Sequence, residues 1–286
     1  MSKTDIYNQI TQHIISAIEN GTAGFELPWH QMAAQGRPQN IASGNLYSGI
    51  NVLSLWAASM HSNYEVGLWG TYKQWQSVGA QVRKGAKAAP IVFYTNLEIE
   101  NEETGEVETI PCAKPSRVFN LAQVEGYTHE HSELINEITP VEQAEAFITQ
   151  TQARIHITGD RACYVPSEDC IYMPEQKRFK ATATACATEH WYAILFHELT
   201  HWTGSAKRLE RNLTGRFGDA SYAMEELIAE MGSAFLCADL GISSEPRADH
   251  ASYMTSWLKV LKKDPKAIFT AASAVQKAVT YLSKAP

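Results

Sequence analysis

Residues 194–204 read ILFHELTHWTG, and the five at their centre, His197-Glu198-Leu199-Thr200-His201, decide how the rest of the chain is read. Two histidines four apart on a helix project from one face, so both imidazoles can reach a single ion. Glu198, one residue past the first, lies beside them and is placed to take a proton from a metal-bound water. In 286 residues with 10 histidines, random order gives about 0.03 such matches. The ordinary alternative is a helix with surface histidines. It sits poorly with the preceding WYAILF, which is apolar nearly all round and implies burial. Unpaired His and Glu would be costly there.

A catalytic zinc needs a third protein ligand and an open position. A continuation His201-x-x-Gly-x-x-His fails, because Gly204 is present but position 207 is Lys207. The next helix offers carboxylates instead, in EELIAE at 225–230, where Glu226 and Glu230 share a face four residues apart. Glu225 is the adjacent rival for the ligand role and Asp219 a more distant one. The arrangement resembles the thermolysin-like zinc peptidases, in which one glutamate binds the metal and an acid one turn later supports a ligating histidine. That resemblance implies Glu226 as third ligand with His197 and His201, and Glu230, in place of the usual Asp, as the acceptor that holds His197. The ligand set suits zinc (Zn2+), with Mn2+ or Co2+ as possible substitutes. Tyr222, His250 and Tyr253 are candidate oxyanion donors by residue type. The same resemblance implies the strand DCIYMP (169–174) at the cleft edge, where an extended peptide could add.

Working outward, 286 residues suggest two domains. A helix over 4–20 carries Ile6, Ile10, Ile14, Ala17 and Ile18 on one face, with Thr4 as its cap. A helix over 51–61, a short aromatic helix or turn at 68–78 and a hairpin of 91–100 with 107–126 follow, Glu103-Thr104-Gly105-Glu106 being its turn. The polar stretch after Tyr127 marks a boundary: 1–128, a linker at 129–139, and 140–286. Thr139-Pro140 with Glu142 opens a helix. Three short strands and four helices (182–203, 222–239, 251–262 and 265–282, the last capped by Asp264) complete an α+β second half.

Composition narrows the class. The chain is 44% hydrophobic and 19% charged with a formal charge of −7, so it is not coated in basic residues. Five cysteines without CxxC pairs fit reduced thiols. With no apolar run of membrane-spanning length and no signal-peptide pattern at the N-terminus, a cytoplasmic protein is expected. Locally the balance inverts. From His30 to Leu97, Arg37, Lys73, Arg83, Lys84 and Lys87 face Glu65 alone, interleaved with Tyr47, Trp56, Trp69, Tyr72, Trp75 and Tyr94. Cations for phosphates and flat rings for unpaired bases make a single-strand-binding recipe. Trp56, inside NVLSLWAAS, reads as core.

Both halves together resemble the ArdC-type antirestriction proteins of conjugative plasmids. The first half does so through PQNIASGNLYSGIN, LWGTYKQWQSVGAQVRKGAKAAPIVFY and RVFNLAQVEG. The second does so through ILFHELTHWTG, YAMEELIAEMGSAFL and DPKAIFTAASAVQKAVTYL. The resemblance implies an N-terminal mixed α/β module that binds single-stranded DNA and a C-terminal zincin-like metallopeptidase domain. It also implies protection of incoming conjugative DNA from host restriction, with restriction-system proteins as possible partners. Ser48 stands where the family pattern has arginine. DNA affinity is therefore expected to be modest or to rest on Lys73, Arg83, Lys84 and Lys87, within a candidate binding set of Arg37, Tyr47, Trp69, Tyr72, Lys73, Trp75, Arg83, Lys84 and Lys87.

Overall fold

The computed structural model describes residues 3–21, 27–100, 107–128, 139–182, 185–213, 219–243 and 250–284. The expected linker at 129–139, apart from Thr139, lies outside them, as does the expected hairpin turn at 103–106.

In the first half, α1 (Lys3–Gly21) buries the row Ile6, Ile10, Ile14 and Ile18. It packs beside α2 (Pro28–Ala33), with proline in the first helical turn. A short β1 (Gln39–Asn40) leads to α3 (Ile50–Ser62), β2 (Leu68–Gly70), α4 (Tyr72–Ser77) and β3 (Gln81–Val82). Two long strands, β4 (Ala89–Glu100) and β5 (Val107–Asn120), pair antiparallel from Ala89↔Val118 to Glu100↔Val107. A final β6 (Val124–Glu125) pairs with β3. The larger sheet runs β1-β2-β5-β4.

The second half opens with α5 (Pro140–Thr151), whose Thr139–Glu142 capping box forms as expected. Strands β7 (Ile155–Ile157), β8 (Cys163–Val165) and β9 (Cys170–Met173) make a sheet in the order β7-β9-β8. Helices α6 (Ala187–Thr203), α7 (Ala220–Leu240), α8 (His250–Lys263) and α9 (Ala267–Ser283) follow. Several helix starts differ from expectation: Thr4 lies inside α1 instead of capping it, α7 begins two residues early at Ala220, and α6 and α9 begin later. The helix α6 begins at Ala187, because Cys186 and Glu189 close a reciprocal cap there. The Asp264 carboxylate accepts from the Lys266 N–H at 2.9 Å, and its carbonyl accepts from the Ala267 N–H. Asp264 thus builds a turn before α9 instead of capping it. Gly241 terminates α7 at φ 65°, a left-handed conformation that glycine takes without steric cost.

The halves share one core. Buried apolar side chains run as a continuous cluster from Ile6 to Leu282, and Trp56 of α3 meets Phe235 of α7 edge to face at 5.4 Å. Around Trp75, a smaller cluster joins Leu68, Ala80, Val82 and Val124. The crossing that matters most is α6 on α7. A side chain at Gly232 would place its Cβ 2.5 Å from Thr200 Oγ1, so only glycine lets the two backbones approach this closely. Ser233 Oγ then donates to the Ala193 carbonyl at 2.7 Å across the same contact. That close crossing brings the second helix's carboxylates onto the histidine pair.

Candidate metal centre

On α6, His197, Glu198 and His201 fall within the last two turns, and on α7, Glu225, Glu226 and Glu230 face them. The two Nε2 atoms lie 3.1 Å apart, and each is 3.6 Å from an oxygen of Glu226. Ligand atoms of His197, His201 and Glu226 all fall within 4.8 Å of one another. Bonds of about 2.0–2.1 Å in a tetrahedral site would put neighbouring ligand atoms roughly 3.3–3.4 Å apart. The two 3.6 Å distances run to different oxygens of Glu226, so the carboxylate straddles the imidazole pair at close to the spacing a small divalent ion needs. Burial works to raise the Glu226 pKa, but the two imidazoles beside it outweigh that and hold the carboxyl at about 2. It is therefore ionised and ready to bind a cation.

Each ring is backed from behind. His201 Nδ1 lies 3.0 Å from Glu225 Oε1, and the Arg211 guanidinium clasps Glu225 through both oxygens at 2.9 and 3.0 Å. Burial alone would raise the Glu225 pKa; His201 and Arg211 lower it instead. On the other side, His197 Nδ1 lies 3.4 Å from Glu230 Oε2, whose second oxygen meets Nε2 of His30 on α2. All three groups are buried. The 3.0 Å hydrogen bond fixes the tautomer and ring plane of His201, and the Glu230 carboxylate stands close enough to Nδ1 of His197 to favour the same orientation there. Gly204 leaves room for this: a Cβ there would sit 2.9 Å from the Arg211 guanidinium.

Glu198 is 4% exposed, and one carboxylate oxygen accepts the Tyr164 N–H at 2.8 Å. Together with Cys163, Tyr222 and Tyr253, these residues line a cleft of about 280 Å³. Tyr222 hydrogen-bonds Glu226 and lies 3.3 Å from the Tyr253 hydroxyl; burial first, then Tyr253, pushes its pKa up, so it stays a protonated donor. The side chain of His250 is outside the described residues. The strand at the cleft is β8, not the expected DCIYMP, because β9 occupies the middle of its sheet with both edges paired.

Tyr164 is itself held. Its hydroxyl donates to Asp169 at 3.0 Å, Arg208 grips the same carboxylate, and the guanidinium of Arg208 stacks 3.8 Å over Trp202. Hydrogen bonds from Arg208 hold the Asp169 pKa at about 2, below its ordinary 3.8. A depressed folded-state pKa gives stability that is complete above the unfolded value and drains as pH falls. The stability difference between wild type and Asp169→Asn should therefore be about 1 kcal/mol at neutral pH. It should vanish between about pH 4 and pH 2, as thermal melts across that range would record.

The nine residues expected to bind nucleic acid separate into two groups. Tyr72, Lys73, Arg83, Lys84 and Lys87 are exposed. Tyr47 is 7% exposed, Trp69 and Trp75 are fully buried, and Arg37 is spent on a bidentate pair with Asp239 at 2.5 and 2.8 Å. These four are corrections. The short elements of the first half carry few aliphatics, so its aromatic rings fill the core; Trp75 even donates its indole N–H to the Phe119 carbonyl.

Comparison with known proteins gives a two-domain layout. Residues 4–119 match the sequence profile of the N-terminal domain of anti-restriction factor ArdC, and residues 142–274 match that of the zincin-like metallopeptidases. The uncharacterized protein y4eC of Sinorhizobium fredii is 42% identical over 98% of this chain and 92% of its own length. Two Escherichia coli proteins, both called DNA primase TraC, are 34% and 36% identical, but the chain spans only 20% and 27% of their lengths. Among solved structures, the antirestriction protein ArdC of plasmid R388 in metal-free form aligns with TM-score 0.80 at 37% identity. That alignment covers 98% of this chain and 97% of that one. Its Mn(II)-bound form aligns with TM-score 0.75 at 38% identity, covering 97% of both.

Proposed function

Because the chain belongs to the ArdC family of antirestriction proteins, with a zincin-like domain in its second half, we propose that it shields incoming single-stranded conjugative DNA from host restriction and carries a zinc-dependent peptidase. In this reading residues 1–128 contribute to DNA binding and residues 140–286 hold the peptidase. The observation that carries it is the triangle of His197, His201 and Glu226 with Glu198 beside it. A purely structural ion has no need of that buried carboxylate.

His197, His201 and Glu226 would hold the metal, which supplies a Lewis acid for the scissile carbonyl and lowers the pKa of water. Glu198, steadied by the Tyr164 N–H, takes the proton of the attacking water and returns it to the leaving amine. Tyr222 donates toward the developing oxyanion from the opposite wall. The β8 edge not paired to β9 offers backbone groups to an extended substrate. On the DNA side, Tyr72, Lys73, Arg83, Lys84 and Lys87 supply an exposed ring and four cations.

Conjugation tests the biological reading. Expression of the chain should clearly raise transfer of unmodified DNA into a restricting recipient. Transfer into a recipient without restriction should not change. An equal effect in both recipients would remove antirestriction from the account.

A further inference from the structure

A concavity of about 1070 Å³ lies between the two halves and away from the exposed loop around Arg83. One wall is the segment from Ser43 to Asn51 with Phe93 and Tyr94 of β4; the other is α9 with Lys266 and Lys277. Its base is fixed by a bond across the halves, the Gly49 N–H donating to Gln276 Oε1 at 3.0 Å. Gly49 adopts φ 53° there, so a side chain would strain that backbone whatever the space around it.

The chemistry of the lining is uneven. The protein has 31 acidic residues and a net charge of −7. Yet no Asp or Glu lines this groove among the described residues, while Lys266, Lys277 and Arg211 do. Amide side chains of Asn40, Asn45, Gln74 and Gln276 add neutral donors and acceptors. Phe93 is 47% exposed and Tyr94 57%, unusual for two neighbouring aromatic rings on a strand. Tyr7 packs against Phe269 at 4.5 Å, with the Lys266 ammonium over its ring. Cations fit a polyanion, and exposed rings fit flat bases better than an acidic peptide, which has nothing to stack.

We propose that this interdomain groove is the path of the single-stranded nucleic acid, with Lys266 at the start of α9 and Lys277 within it contacting phosphates and Phe93 and Tyr94 stacking bases. The inference rests on the nucleic-acid reading above and moves its site. The C-terminal helix, not the first half alone, completes the binding surface. Arg211 gives the path an end point, since it lines the groove while holding Glu225 behind His201. A strand in the groove therefore lies one side chain away from the metal centre's support.

Fluorescence anisotropy of a labelled oligothymidylate against the full chain, across a salt series, tests this. Lys266→Glu/Lys277→Glu should weaken binding by about tenfold or more, and neutral replacement of both lysines should reduce the salt slope by about 1.4. Tyr94→Ala should cost about fivefold or more. All of these side chains are exposed, so circular dichroism should show an unchanged fold. If wild type binds but these variants bind equally well, while Lys84→Glu/Lys87→Glu weakens binding, the groove is overturned and the loop surface stands. If wild type does not bind even at low salt, the nucleic-acid reading itself fails. Displacement of the oligonucleotide by polyglutamate of equal charge, with Tyr94→Ala indifferent, would overturn the occupant in favour of an acidic peptide.

Discussion

Replacing Glu226 with alanine is expected to weaken zinc or manganese binding by more than about 100-fold, the range that loss of an outer support alone does not exceed. Its carboxylate is the one that reaches both Nε2 atoms, at 3.6 Å each, and without it two imidazoles are left to hold the ion. Competition with a fluorescent chelator would measure the loss directly. A second readout follows from mass action. Metal at about 100 times its Kd adds roughly 2.7 kcal/mol to the stability of a protein that binds it only when folded. Wild type should thus melt at a higher temperature with metal, and the variant should not respond. The supports should grade below the ligand: Glu225→Ala and His30→Ala should each cost about 10–100-fold in affinity. His30 is the more telling, since it sits 200 residues from Glu230 in sequence and belongs to the first half. If Glu226→Ala keeps full affinity and Glu225→Ala loses it, the two neighbours have exchanged roles.

That ambiguity between neighbours marks where sequence stops deciding. HELTH was legible because the helical repeat places His197 and His201 on one face whatever the tertiary context. The apolar turns before it added burial. Glu225 and Glu226 are about 100° apart around α7, and both lie near the α6 histidines. Which one meets Nε2 and which meets Nδ1 depends on the crossing set by Gly232 against Thr200, a contact with no local signature. Arg211 and the Tyr164 N–H escaped for the same reason. His30 gave no signal in PWHQMA, because its partner arrives only when the halves pack together. The aromatic residues of the first half were misjudged in the opposite direction. Tryptophans beside lysines match a base-stacking surface in composition, but Trp69 and Trp75 are the bulk around which very short strands and a six-residue helix can fold. Tyr94, counted among those rings, is exposed on β4 together with its neighbour Phe93. The long helices and the hairpin strands were recoverable from periodicity and caps, whereas α2 and the two- and three-residue strands β1, β2 and β3 were not. The start of α6 was not, because a cysteine is an uncommon partner for a capping box.

Glu198→Gln should separate the chemistry of the site from everything it is built on. Glutamine keeps the shape of the side chain and its carbonyl oxygen can still accept the Tyr164 N–H, so the cleft should stay intact. The three ligand residues are untouched, and affinity for metal should remain within about twofold of wild type, a change of roughly 0.4 kcal/mol. What glutamine cannot do is take a proton from water. Hydrolysis of a protein substrate by the zinc-loaded chain should therefore fall by about 10²–10⁴-fold, the usual contribution of a positioned general base. Cleavage that continues at the wild-type rate would show that Glu198 is not that base. Unchanged metal affinity makes the comparison decisive, because a drop in rate then cannot be assigned to an empty site. The same variant carries the argument into cells. Loss of protection during conjugation would make hydrolysis the means by which restriction is defeated. Protection that persists in a protein unable to hydrolyse would assign the defence to the bound strand itself, with the metal centre bracing the α6–α7 crossing against which the first half packs through His30.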